Sequence, residues 1–134
     1  MTLHRDLAAH TESVFEKTVD WGVDDCSAWV AAWVEKAFGA KINLPSYSSR
    51  EEALALIDKA GSLAALWDNL CAEAGSFGAH FEPEYGDVAV IDFGSYGQVG
   101  MIALDAPNFV WRTDVGYTIR SAFPRHIVKV WSFR

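Results

Sequence analysis

In the segment DWGVDDCSAW, residues Asp20 to Trp29, a cysteine follows two aspartates at the point where a helical pattern begins. A thiol there meets unpaired N–H groups and the positive end of the helix dipole, and both favour the thiolate that acts as a nucleophile. Asp24 and Asp25 oppose this, because neighbouring negative charge disfavours a second anion. Cys26 can equally be a small buried hydrophobe on the Trp29/Trp33 face of the helix. A working thiol also needs a base, usually histidine, within hydrogen-bond reach. The four histidines are His4, His10, His80 and His126. The first two fall on an opening helix and read as surface residues. His80, in the loop FGAHFEPEYGD, and His126, at the mouth of the last strand, are the two that could reach a cleft. The other cysteine, Cys71, lies in the middle of an apolar helical stripe and reads as core.

Other chemistries have less to stand on. No two histidines lie three or four positions apart, as a helical metal site requires. The acidic run HFEPEYGD lacks the alternating oxygen ligands and central glycine of a calcium loop. The glycines of FGSYGQVG lie between strands rather than before a helix, which makes them a hairpin turn and not a phosphate cradle. No cofactor is expected.

The elements that must position these residues divide the chain in two. Up to about residue 75 the pattern is helical. LHRDLAAHTESVFEKTV predicts a first helix with Leu3, Leu7, Val14, Phe15 and Thr18 on one face. CSAWVAAWVEKAF places Cys26, Trp29, Val30, Trp33, Val34 and Ala37 on a second, ended by Gly39. The aspartates before it are expected to cap its free N–H groups. A capping box, Ser49 with Glu52, opens a third helix that ends at Gly61. Ser62 opens a fourth, with Leu63, Leu66, Trp67, Leu70, Cys71 and Ala74 on one stripe and Gly75 as its stop. From about residue 86 to 134, VAVID, QVGMIAL, NFVWRT, VGYTIRS and HIVKVWSF are short, rich in β-branched and aromatic residues, and separated by turn formers. Helices followed by neighbouring strands predict a single α+β domain over residues 1–134, its N-terminal helices packed on a C-terminal antiparallel sheet of about five strands.

Composition narrows the function classes. Half of the 134 residues are hydrophobic and six are tryptophan, enough for a packed core. A formal charge of −7 with no basic run speaks against nucleic acid and against an anionic membrane surface as partners. No apolar stretch reaches the ~18 residues of a membrane span, and MTLHRDLAAHTE carries no signal-peptide core. Two cysteines far apart in the chain do not make a disulfide framework, which suits a protein made in a cytoplasm.

Three pieces in order carry a resemblance. DDCSAWVAAWV opens a helix, EYGDVAVID follows about 60 residues later, and GQVGMIAL comes after a short turn. Together they resemble the NlpC-like peptidases, compact papain-like thiol hydrolases that cut peptide bonds in cell-wall peptidoglycan. The resemblance implies a papain-like fold with Cys26 in the place of the nucleophile and Gly86 and Asp87 at the start of the next strand. It puts Gln98 where that family has its histidine base, and its third polar residue near Trp111. Glutamine does not titrate in the useful range and cannot serve as a general base, although its amide could help to hold an oxyanion. DWGVDDC, the tryptophan-rich helix, GDVAV and a late VW strand further resemble small proteins of tailed-phage tail tips. The implied function is a virion tail component made in the host cytoplasm: a degenerate cell-wall peptidase docked on tail hub or tail-tip proteins. The alternative is an active cysteine peptidase or amidase cutting peptidoglycan stem peptides during genome delivery, with Cys26 as nucleophile and His80 or His126 as a replacement base.

Overall fold

A computed structural model describes residues 2–76, 79–80 and 82–133. Four helices, α1 (Leu3–Glu12), α2 (Cys26–Phe38), α3 (Arg50–Ala60) and α4 (Leu63–Ala74), precede the strands β1 (Ala79–His80), β2 (Val88–Asp92), β3 (Gln98–Ala103), β4 (Asn108–Thr113), β5 (Gly116–Ser121) and β6 (Ile127–Trp131). The sheet is antiparallel in the order β1-β6-β2-β3-β4-β5. The α+β class is as the sequence predicts, and β1, two residues on the edge, is added to the five strands expected. Among the described residues no helix is long and apolar enough to cross a membrane.

Three of the four helices end where their capping chemistry says they should. The Ser49 and Ser62 hydroxyls accept the N–H groups of Glu52 and Ala65 at the starts of α3 and α4. Glu52 reaches back one residue further than a capping box predicts, to the N–H and hydroxyl of Ser48. The first helix is shorter than expected. Its apolar spacing continues to Thr18, but the chain leaves the helix after Glu12: the N–H groups of Val14 and Phe15 turn onto the carbonyls of Thr11 and Glu12, and Glu16 takes a positive φ of 52°. Val14 stays buried, whereas Phe15 and Thr18 face out.

His10 is a second correction. It is buried, not a surface residue: its ring stacks on Trp29 at 4.6 Å and its Nε2 lies 2.8 Å from the Trp29 carbonyl. The Trp29 indole N–H donates in return to the carbonyl of His10, so two reciprocal bonds lock α1 to α2.

The main core lies between α2, α4 and one face of the sheet, where Trp33, Val34, Trp67, Val88, Val90, Ile102, Val110 and Trp131 are buried. Strand alternation puts Ala89, Ile91, Met101, Ala103, Phe109 and Val130 into a second buried cluster on the opposite face. Two tryptophan N–H groups tie the layers: Trp33 donates to the Gly86 carbonyl at 2.9 Å and Trp131 to Asp68 at 3.2 Å.

Candidate functional site

Cys26 is the first residue of α2 and lines a cleft of about 620 Å³. The segment leading to it forms one wall with Val19, Trp21 and Asp25. α3 and the start of α4 supply a largely apolar second wall with Leu54, Ile57, Leu63 and Leu66. Gln98 and the ends of β3 and β4 close the floor and rim.

The aspartates do not cap α2 as the sequence suggested. Asp25 occupies the N-cap position but makes no side-chain bond to the helix. Its carboxylate instead accepts the Gly22 N–H at 2.9 Å and the Tyr47 hydroxyl at 2.6 Å. This pulls the Asp20–Asp25 turn shut and docks the loop before α3 on top of it. Gly22 is required there: its φ is +85°, and a Cβ would meet the Tyr47 carbonyl oxygen at 1.9 Å. Asp24 turns the other way. It accepts the Asp20 N–H at 2.8 Å and forms ion pairs with Lys17 and, at 3.0 Å, with Arg112.

Arg112 is the organising residue that sequence reasoning missed. Its side chain is fully buried on β4, and its guanidinium donates to the carbonyls of Lys17, Asp24, Thr113 and Gly116 as well as to the Asp24 carboxylate. The resemblance placed a polar residue near Trp111, one position away. Trp111 packs with Phe93 and Tyr96 at the rim of the cleft, with centroid distances of 6.1 and 5.3 Å. A strand's faces alternate, so residue 112 shares the helix-facing side with Val110. That two-residue period was the signal available.

Gln98 does come to the cleft. Its Oε1 accepts the Ala64 N–H at 3.0 Å, adding a second cap to the start of α4, and its amide NH2 is left with no partner among the described residues. Cys26 and Gln98 therefore line one cleft. The Cys26 thiol is pushed up to about 11, first by burial and next by the charge of Asp25, against the bonding of Ser27. Burial and Asp25 push the Tyr47 hydroxyl up too. Cys71 is fully buried in α4, as expected of core, and burial raises its thiol further still.

The model of a domain family of unknown function, DUF6950, matches residues 2–133. The chain belongs to that family. No curated protein matches it. In this DUF6950 chain no histidine lines the cleft among the described residues. His10 is locked between α1 and α2, and His4 stacks on Tyr85 at 3.7 Å. His126 sits in the turn before β6, its ring 5.9 Å from that of Phe123 and two strands from β3. His80 belongs to β1, three strand positions from β3 and hence about 14 Å across the sheet. Its side chain lies outside the described residues.

Proposed function

We propose that this chain is an NlpC-like, papain-like domain in which the framework of a thiol hydrolase persists without its base, and that it serves as a structural component of a phage tail tip. The observation that carries the reading is the pairing of Cys26, at the first turn of α2, with Gln98, at the first residue of β3, across one cleft. In a thiol hydrolase the second position carries an imidazole that takes the thiol proton and then protonates the leaving amine. That step typically contributes a factor of ~10²–10⁴, and an amide cannot perform it. The thiol's high pKa agrees with an unactivated nucleophile. The tail assignment rests on the motif resemblance, and a formal charge of −7 suits docking to protein partners rather than to nucleic acid.

The test is a peptidoglycan cleavage assay on three proteins. The native chain should release no stem-peptide products. Gln98→His should create slow cleavage, and adding Cys26→Ser to that variant should abolish it while the protein stays folded. Cleavage by the native chain that is lost in Cys26→Ser would establish the active alternative instead. Co-purification with tail proteins from phage-infected cells tests the structural role separately.

A further inference from the structure

Among the described residues the two edge strands are unlike: β1 has two, whereas β5 runs for six, GYTIRS, with no proline and a single charge. Thr113 and Gly116 close the two-residue β4–β5 turn, so the alternation of an antiparallel pair directs the N–H and C=O groups of Tyr117, Ile119 and Ser121 away from β4. Among the described residues no backbone bond reaches them from outside the sheet.

The side chains along this edge are apolar and uncovered. Phe15 is 56% exposed, Val115 70% and Ile119 54%. With Tyr117, whose ring lies 6.4 Å from that of Phe15, they form a groove on the helix-facing side of β5. The groove continues through Thr113 and Val115 into the Cys26 cleft. The β5 edge differs in charge at its two ends. Glu16 and Asp114 are exposed beside Val115 at the turn, and Arg120 is exposed at the far end of the strand, on the opposite face with its partner Phe109. The nearby Lys17 ammonium is engaged by Asp24 and does not neutralise the acidic end.

We propose that the free edge of β5 is a docking site for an extended strand of a partner protein. The strand carries apolar side chains at alternate positions, a basic residue at the end that meets Glu16 and Asp114, and an acidic one at the end that meets Arg120. Backbone pairing with Tyr117, Ile119 and Ser121 supplies affinity, and the Phe15–Val115–Ile119 groove selects alternate side chains. The site does not depend on the chemistry of Cys26.

The experiment titrates the full ¹⁵N-labelled chain with a synthetic ten-residue peptide of alternating valine and threonine, arginine at one end and glutamate at the other. Saturable binding with a midpoint below ~1 mM is expected, as is slowing of the Tyr117, Ile119 and Ser121 amide exchange by about tenfold or more. The amides of Thr118 and Arg120, already paired to β4, should not change. Ile119→Lys, at an exposed position that leaves the core intact, should weaken binding by about tenfold, and so should a peptide with glutamate at both ends. Unchanged exchange at the three outward amides, or binding indifferent to Ile119→Lys, overturns the proposal. Sedimentation that finds a dimer dispersed by Ile119→Lys also overturns it, assigning the edge to a second copy of this chain.

Discussion

The charge around Cys26 makes a quantitative forecast for its alkylation. A thiol titrating at about 11 is ionised at pH 8 in about one molecule per thousand, against about one in four for a free thiol near 8.5, a deficit of about 240-fold. The more basic thiolate is intrinsically the better nucleophile. A Brønsted coefficient of ~0.45 over ~2.5 units returns about 13-fold and leaves Cys26 about 20-fold slower than free cysteine. Its rate should keep climbing about tenfold per pH unit up to pH 10, with no plateau in the neutral range. Cys71, fully buried in α4, should stay unmodified until the protein unfolds and so serves as the internal control. Iodoacetamide labelling across pH 6–10, read by peptide mass spectrometry, measures both. Asp25→Asn should lower the midpoint and speed labelling at pH 8, because the Asp25 charge is the second cause of the shift, after burial. A plateau below pH 8.5, or labelling faster than free cysteine, would refute the reasoning and mean that a cation faces the thiol in solution.

Three further outcomes concern the frame that holds the site. Arg112→Met leaves the Asp24 carboxylate and several carbonyls without their buried donor and should cost about 3–5 kcal/mol in a denaturant titration, whereas Lys17→Met, at a half-exposed pair, should cost under ~1 kcal/mol. Gly22→Ala forces a side chain against the Tyr47 carbonyl at a positive φ and should lower stability by at least about 2 kcal/mol in thermal unfolding. His10 is held below its ordinary value by burial, with the Lys36 charge adding and the Trp29 carbonyl bond opposing. The unfolded chain therefore binds the extra proton first: stability should rise with pH from the folded-state pKa up to about 6.5 and level off above it, and this dependence should vanish in a folded His10→Gln variant.

The sequence was most legible where a local rule acts alone. The caps at Ser49 and Ser62, the stops at Gly39 and Gly75 and the short β-branched run of VAVID each fix a boundary from neighbouring residues, and all of them are present. The motif order matched Cys26 and Gln98 to one family site but did not say whether Cys26 faces a cleft or the core; in the structure both line one cleft. What failed was decided at long range. Apolar spacing carried the first helix on to Val19, but the chain turns away after Glu12 to bring the Lys17 carbonyl under Arg112, a partner 95 residues further on. His10 looks like a solvent residue until Trp29 offers it a stacking face and a carbonyl. Asp24 and Asp25 sit in a good capping position, but an arginine, a lysine, a tyrosine and a glycine amide compete for them, and none of these is adjacent in the chain.

That competition separates positioning from activation in this site. Positioning is complete: the Asp20–Asp25 turn is closed by Gly22, Asp25 and Tyr47, and Arg112 of β4 clamps it to the sheet across 88 residues of sequence. Activation is not, because the two cations bonded into the turn, Lys17 and Arg112, are spent on Asp24, while among the described residues Asp25, beside the thiol, is satisfied by a hydroxyl and an amide. A neutral glutamine at position 98 adds no positive charge, so burial and Asp25 set the thiol's pKa. The clamp also joins the helical half to the strand half, so losing it would cost the fold and not merely the site. On the proposed reading, the position of the base is free to carry an amide whose oxygen caps α4, whereas Asp24 and Arg112 are held by the fold itself. On that reading, the demands of stability alone keep this turn in place, and the position of Cys26 at the cleft does not require that the thiol act as a nucleophile.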